Sequence, residues 1–124
     1  MSEQKLTGMP RLVAAFRNSM AGFSDVWRSD EAFRIEALLL LPAIPAALWL
    51  GKTPFQSALL IAAMLLLVIV EVLNSAIEAT IDRIGPERHE LSRIAKDLGS
   101  LAVLLATCLA ALLWLAALWE KLAA

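Results

Sequence analysis

Residues 70–83 read VEVLNSAIEATIDR, and three acids and one amide recur along this stretch. The four are Glu71, Asn74, Glu78 and Asp82. At 100° per residue they fall within an arc of about 80° on one face of a helix, with Ser75 beside them. Acidic groups at or near membrane depth are costly and rarely face lipid. The stretch therefore predicts an apolar helix whose polar face meets a cation, a metal, a proton or a partner helix.

Composition extends this apolar character to the whole chain. Hydrophobic residues make up 60% of the 124 residues and charged residues 19%, and the mean hydropathy is +0.71. Soluble domains are roughly 45–50% apolar, and a chain this small has too little interior to hide the excess. The charges nearly cancel, to a net −1, so no basic surface for nucleic acid is indicated. We therefore predict one membrane-embedded domain, residues 1–124, that binds no nucleic acid.

Uncharged stretches predict three membrane-spanning helices, at residues 37–51, 53–70 and 98–119. Helical periodicity and flanking polar residues extend them to spans at about 33–51, 55–84 and 92–119. Pro42 and Pro45 predict a kink in the first span. The second and third spans are long enough to project beyond the bilayer, around a turn that begins at the helix stop Gly85-Pro86. Ser92 is expected to cap the third span.

The segment before the first span, about residues 10–28, predicts an amphipathic helix. Pro10 suits its first helical position. Its apolar residues recur every three or four positions and form one stripe, made of Leu12, Phe16, Met20, Phe23 and Trp27. Such a helix lies on the membrane surface, or it packs its stripe on protein. The predicted fold is an all-α membrane protein with three transmembrane helices and an N-terminal interfacial helix.

Basic residues predict the orientation of these helices. Nine of them lie before the first uncharged stretch or between the second and third, and two, Lys52 and Lys121, lie on the other side. The positive-inside rule then predicts a cytoplasmic N-terminus and a C-terminus outside, with Trp49 and Trp119 near the outer interface. The one cysteine, Cys108, cannot form a disulfide within the chain, and we expect it to be a buried small residue.

A second polar group opens the third predicted span, where Lys96, Asp97 and Ser100 lie at a depth comparable to the acidic face. A lysine beside carboxylates forms a structural ion pair or holds a phosphate. The glycines form neither GxxxxGK[ST] nor GxGxxG, so neither common phosphate-binding loop is indicated. From the residues alone, three functions stay open: phosphoryl transfer at a membrane, proton-coupled transport through Glu71 or Glu78, and a non-catalytic assembly subunit.

These motifs resemble the signature of the prokaryotic integral-membrane diacylglycerol kinases. Residues 70–83 resemble the family's first motif. The next conserved stretch is matched by HELS at 89–92, AKD at 95–97 and GS at 99–100. AFR at 32–34, followed by Glu36, is similar to the motif ahead of the first span. The resemblance covers nearly the whole chain.

The resemblance implies a homotrimer in the bacterial inner membrane, with sites shared between subunits. It implies transfer of the γ-phosphate of ATP to the hydroxyl of diacylglycerol, with Mg²⁺ as cofactor, to give phosphatidic acid. By motif position, Glu71 is the expected general base, and Asp30 and Glu78 are the expected metal ligands. The residues expected to bind ATP are Arg11, Asn18, Asp30, Glu78, Glu87, Arg88, His89, Lys96 and Asp97. Those expected to contact the lipid substrate are Arg11, Ser19, Trp27, Phe33, Arg34, Glu36, Glu71, Asn74, Ser100 and Trp114.

Two points stay open within the resemblance. The family usually has Glu where this chain has Asp30, and Glu31 follows it, so either acid is a candidate metal ligand. Polyprenol kinases of the same superfamily share much of the pattern, so the acceptor alcohol is also open.

General chemistry agrees with a lipid kinase, because Glu78 lies two turns, or ~10.5 Å, closer to the predicted cytoplasmic turn than Glu71. That order puts the base near lipid and the metal ligand near water.

Overall fold

The computed structural model describes residues 5–124, and the regular secondary-structure elements in that range are all helices. Its four helices are α1 (Gly8–Ser29), α2 (Glu31–Leu50), α3 (Pro54–Ile84) and α4 (Glu90–Ala123). The last three are each long and apolar enough to cross a membrane. The predicted all-α class, with three spans behind an N-terminal amphipathic helix, is confirmed.

Capping side chains decide where α2 and α3 begin. The first span starts two residues earlier than predicted because Oδ1 of Asp30 accepts a hydrogen bond from the Phe33 N–H, at 3.1 Å. At α3, the Thr53 hydroxyl accepts from the Gln56 N–H at 3.2 Å. Pro54 occupies the first turn, where a backbone N–H would have no partner within the helix, so the missing N–H of proline costs nothing. Both starts therefore follow from local side-chain chemistry.

The start of α4 differs from the prediction. Ser92 does not cap it, because the helix already begins at Glu90, behind His89. Nδ1 of His89 accepts from the Leu91 N–H at 3.1 Å, and the acidic Glu90 favours the positive end of the helix dipole. The helix then continues to Ala123, four residues past the predicted end at 119, since no proline or glycine follows.

Glycine and proline mark the ends of two other helices. Gly85 ends α3 at the predicted stop, with a φ of 155° that favours glycine, and its N–H donates to the Ile81 carbonyl. The start of α1 differs from the prediction, because it begins at Gly8 and holds Pro10 as its third residue. A proline anywhere in the first turn costs little, since the N–H groups there have no helical partner.

α3 is the central helix, and α2 and α4 both pack along it. The Ser57 hydroxyl near the start of α3 donates to the Ala47 carbonyl near the end of α2, at 2.8 Å. Nε1 of Trp114, late in α4, donates to the Leu60 carbonyl, early in α3, at 3.1 Å. Both neighbours of α3 are therefore antiparallel to it. A small apolar core of Ala47, Leu50 and Leu60 stabilises the end of the bundle that lies opposite the α3–α4 turn.

α1 meets the bundle through its C-terminal end, where Val26 is buried. The Trp27 and Phe23 rings pack on Phe33 of α2, with centroids 6.4 and 5.8 Å away. Nη1 of Arg34 donates to the Trp27 carbonyl at 2.6 Å, which sets a positive charge against the negative end of the α1 dipole. The earlier stripe residues Leu12, Phe16 and Met20 are exposed. The C-terminal part of the stripe is thus packed on protein, and its earlier part is exposed.

Most side chains of the three long helices point outward from the single chain. The buried positions of α4 are the small residues Gly99, Ala106 and Ala110. Cys108 lies between them in sequence but is exposed, so the expectation that it is buried is wrong. The sequence pattern could not distinguish these positions because α4 is apolar on nearly every face.

Candidate active site

Four carboxyl groups gather where the start of α2 meets the middle of α3. Glu71 of α3 is the most deeply buried, with 5% of its surface exposed. Its carboxyl group lies within hydrogen-bonding reach of the Asp30 carboxyl. Glu36 and Glu78 are close enough to act on Glu71 electrostatically. Four acids predicted as site residues, Asp30, Glu36, Glu71 and Glu78, therefore lie near one another.

Asp30 is held through both of its carboxylate oxygens. Oδ1 accepts from the Phe33 N–H at the start of α2, and Oδ2 accepts from the Ser75 hydroxyl of α3 at 2.5 Å. Burial alone would raise the pKa of Asp30, but hydrogen bonds from Ser75, from Glu71 and from the backbone outweigh it and hold that pKa below its ordinary value. Asp30 is therefore a carboxylate at neutral pH. Glu31 is exposed, so the acid in the cluster is Asp30.

Asn74 links the cluster to Glu78 and to α4. Its Nδ2 donates to Glu78 Oε1 at 3.4 Å, and its side chain packs on Gly99. Among the described residues, Asn74 Oδ1 and Glu36 Oε2 are buried acceptors without a hydrogen-bond partner. Buried acceptors are nearly always paired, so these two atoms can receive a donor or a cation from a ligand.

An open cavity of about 670 Å³ lies at the α3–α4 turn, at the end of the bundle toward which Glu78 is displaced. It brings together four residues predicted to bind ATP, namely Glu87, Arg88, His89 and Lys96. Nζ of Lys96 lies 3.3 Å from Asp82 Oδ1, an exposed pair that contributes little stability. The predicted ATP ligand Asp97 does not line this cavity and pairs instead with Arg93, at 2.8 Å. The turn thus offers exposed cations on a surface that a polyanion can reach.

The predicted site residues of α1 lie apart from this cluster in the single chain. Arg11 and Asn18 line a separate open groove on α1. The Ser19 hydroxyl donates to its own helix, at the Ala15 carbonyl. Twelve residues separate Asn18 from Asp30, or about 18 Å along the helix. Within one chain, these residues are not brought to the acids.

The remaining predicted substrate contacts fall into two groups. Trp27, Phe33 and Arg34 form the α1–α2 junction described above, next to Asp30. Ser100 is exposed on α4, one residue after Gly99. Trp114 lies further away, because its partner Leu60 precedes Glu71 by eleven residues, or about 16 Å along α3. Trp114 lines an apolar cavity of about 250 Å³ with Leu39, Pro42, Ala43, Ala46 and Met64.

Two residues of the site carried a weaker signal in the sequence. Ser75 lies beside the acidic face of residues 70–83, but its contact with Asp30 depends on how α2 is placed. Arg93 pairs with both Glu90 and Asp97 along one helix face. The i,i+3 and i,i+4 spacing of this group predicts such pairs, so this arrangement could have been found from the sequence.

The fold and the site together define a small helical membrane protein with a buried acidic centre and an open turn lined by charged side chains of both signs. Residues 17–118 match the family model described as prokaryotic diacylglycerol kinase. The chain is 46% identical to the diacylglycerol kinase of Escherichia coli (strain K12) over 92% of its own length and 93% of the relative's. It is 46% identical to that of Pseudomonas aeruginosa, over 87% and 88%, and 41% identical to that of Haemophilus influenzae, over 89% and 93%. The chain belongs to the prokaryotic diacylglycerol kinase family, and it is a bacterial membrane protein of the kinase class.

Proposed function

We propose that this protein transfers the γ-phosphate of ATP to the free hydroxyl of diacylglycerol in a Mg²⁺-dependent reaction that yields phosphatidic acid. The observation that carries the proposal is the buried Glu71 carboxyl group beside Asp30, on the same helix that ends at the open turn where Arg88 and Lys96 are exposed. This order along α3 suits a reaction that joins a lipid alcohol to a water-soluble nucleotide. Family membership supports both the reaction class and the lipid acceptor.

Glu71 is proposed as the general base on the acceptor hydroxyl. A base must lie within hydrogen-bond reach of the proton that it removes, and its carboxyl group must be fixed in place. The contact with Asp30 orients Glu71, and its burial inside the α2–α3 interface keeps bulk water away. A diacylglycerol whose acyl chains lie in the bilayer can present its hydroxyl at this depth. The apolar cavity at Trp114, which residues of α2, α3 and α4 line, offers a surface for acyl chains.

Asp30 and Glu78 are proposed to hold Mg²⁺ together with the ATP phosphates. No three His, Cys, Asp or Glu side chains in residues 5–124 converge to enclose a metal by themselves. That arrangement fits Mg²⁺, which usually takes one or two carboxylates and completes its shell with phosphates and water. Glu36 Oε2 beside the cluster is a buried acceptor with no hydrogen-bond partner among the described residues, and a bound cation would satisfy it. When bound, the ion would neutralise charge that develops on the transferring phosphoryl group.

The α3–α4 turn is proposed to receive the nucleotide. Arg88 and Lys96 can neutralise phosphate oxygens, and Glu87 and His89 line the same cavity. Lys96 pairs with exposed Asp82, and a phosphate can replace that partner at little cost. The turn and the N-terminus are proposed to face the cytoplasm, where ATP is found, with the C-terminus outside.

A trimer with shared sites would complete the centre. In one chain Arg11 and Asn18 lie far from the acids along α1, and Glu78 is exposed. A neighbouring subunit can supply the missing groups and cover the exposed acid. Mixed oligomers test this directly. If sites are shared, combining inactive Glu71→Gln subunits with inactive Arg11→Ala subunits restores measurable activity, whereas self-contained sites give none.

The decisive test is purified protein in mixed micelles with radiolabelled ATP and diacylglycerol. We expect labelled phosphatidic acid, and we expect chelation of Mg²⁺ to abolish it. Glu71→Gln should lower kcat by at least roughly 100-fold, the usual contribution of a general base. Glu120→Gln is the matched control, because Glu120 is an exposed acid near the C-terminal end of α4, away from the acidic cluster. Absence of labelled product from the unmodified protein, or full turnover by Glu71→Gln, contradicts the proposal.

A parallel reaction with a polyprenol in place of diacylglycerol distinguishes the two acceptor alcohols. We expect diacylglycerol to be the better acceptor by kcat/KM. A higher value for the polyprenol would keep the phosphotransfer chemistry and overturn the acceptor.

A further inference from the structure

The hydroxyl of Ser75 does not make the local hydrogen bond that is common in these helices. Four others donate to the carbonyl four residues earlier in their own helix. They are Ser19, Ser29, Thr80 and Thr107. That local bond is the default for a hydroxyl in an apolar helix. Ser75 instead donates to Oδ2 of Asp30, which lies 45 residues earlier in the chain.

The partner of Ser75, Asp30, lies where α1, α2 and α3 meet. Asp30 is the single residue between α1 and α2, with an extended backbone, and its Oδ1 is used to cap α2. From α3, the Ser75 hydroxyl donates to the second oxygen, and the Glu71 carboxyl group lies within hydrogen-bonding reach of the same carboxylate. A carboxylate has about four acceptor positions, so the contacts with Phe33, Ser75 and Glu71 still leave a lone pair for a ligand. The bond therefore fixes the orientation of Asp30 without consuming it.

We propose that Ser75 is a positioning residue, which holds the Asp30 carboxylate in place for the metal–nucleotide complex. The proposal rests on the proposed function, because it assigns to Asp30 the role of metal ligand. Ser75 acts through Asp30 and touches neither substrate. Its loss should weaken metal binding while leaving Glu71 able to act when metal is in excess.

Ser57 provides a matched control at the other end of the same helix pair. Its hydroxyl also crosses from α3 to α2, where it donates to the Ala47 carbonyl at 2.8 Å. Ser57→Ala and Ser75→Ala therefore each remove one α2–α3 hydrogen bond, but only Ser75→Ala releases a carboxylate of the acidic cluster. A purely structural role predicts the same behaviour for both variants.

The test measures phosphatidic acid formation by the full-length protein in micelles as a function of Mg²⁺ concentration. Ser75→Ala should raise the half-saturating Mg²⁺ concentration roughly tenfold, equivalent to about 1.4 kcal/mol, with most of kcat recovered at high Mg²⁺. Ser75→Thr keeps the hydroxyl and should stay within about twofold of the unmodified protein, as should Ser57→Ala. Direct Mn²⁺ binding, followed by electron paramagnetic resonance with a non-hydrolysable ATP analogue, should show the same tenfold weakening.

Ser75→Cys is the second variant if Ser75→Ala does not fold, since a thiol has similar size but is a weak donor. Equal Mg²⁺ dependence and equal Mn²⁺ affinity for the Ser75 and Ser57 variants overturn the inference. So does a loss of kcat with unchanged Mn²⁺ affinity. If the unmodified protein forms labelled phosphatidic acid, these results count against the role of Ser75 alone. If it forms none, the proposed function fails first.

Discussion

Gly99 of α4 lies so close to Asn74 of α3 that a Cβ built on the glycine would overlap Asn74 Oδ1. The glycine is needed here for space, since its backbone is ordinary helix. The amide it accommodates donates to Glu78 through Nδ2. The closeness of α3 and α4 at this point therefore sets the position of a candidate metal ligand.

Gly99→Ala should reduce activity much more than stability. The added methyl group forces Asn74 to rotate and breaks its contact with Glu78, and we expect kcat to fall roughly tenfold, the equivalent of one lost hydrogen bond. The fold should change in stability by no more than about 1 kcal/mol, because alanine has the better helix propensity. Kinetics and thermal unfolding in the same micelles measure both effects. Gly22→Ala is the control: nothing lies within 4 Å of that position, so activity should be unchanged.

Asp30→Asn should be less stable than the unmodified protein at neutral pH, and the difference should disappear in acid. Asparagine still caps α2, but it lacks the charge that Ser75 stabilises. Because hydrogen bonds hold the folded pKa of Asp30 below its ordinary value of 3.8, its contribution is complete above about pH 5. It is lost as pH falls through the folded pKa, below 3.8.

Melting curves of the two proteins from pH 6 to pH 2, without divalent cations, give this difference. We expect the unmodified protein to be more stable than Asp30→Asn by about 1 kcal/mol at pH 6, and this difference in stability should disappear below pH 4. A gap that is constant, or that widens in acid, would show that the Asp30 charge does not stabilise the α2–α3 contact.

Lys121 should stabilise the end of the bundle opposite the turn. Its Nζ donates to the Trp49 carbonyl at 2.8 Å and lies 4.1 Å from the centroid of the Trp49 ring. The contact satisfies a terminal carbonyl of α2 and adds a cation–π interaction. Lys121→Met keeps the apolar stem and should lower the free energy of unfolding by about 1 kcal/mol, measured by thermal unfolding. Lys52→Met at the same end should have no effect, since Lys52 is exposed.

Trp114→Phe should cost stability without abolishing turnover. The substitution keeps an aromatic ring in the half-buried site and removes the N–H that donates to the Leu60 carbonyl. We expect a loss of about 1 kcal/mol in thermal unfolding, and a KM for diacylglycerol that changes more than kcat. Trp119→Phe serves as the comparison, because Trp119 is 75% exposed and should change neither quantity. A large fall in kcat at constant KM would place Trp114 in the chemistry instead.

Much of the fold was present in the local pattern of the chain. The three apolar spans, the stripe of α1 and the stop at Gly85-Pro86 are properties of neighbouring residues, so the sequence predicted them correctly. Two predictions were wrong because they depended on more than neighbouring residues. Several residues could cap α4, and the choice of His89 depends on side-chain geometry. Several positions of α4 could face outward, and the exposure of Cys108 depends on how α4 packs.

The acidic face of α3 was also determined by the sequence, because 3.6 residues per turn place Glu71, Asn74 and Glu78 on one side whatever surrounds them. Only the tertiary structure decided what that face meets. The rotation and register of α2 bring Asp30 to Glu71 and Ser75, and those of α4 bring Gly99 to Asn74. These quantities are fixed by packing between segments far apart in the chain, and a period within one helix carries no information about them.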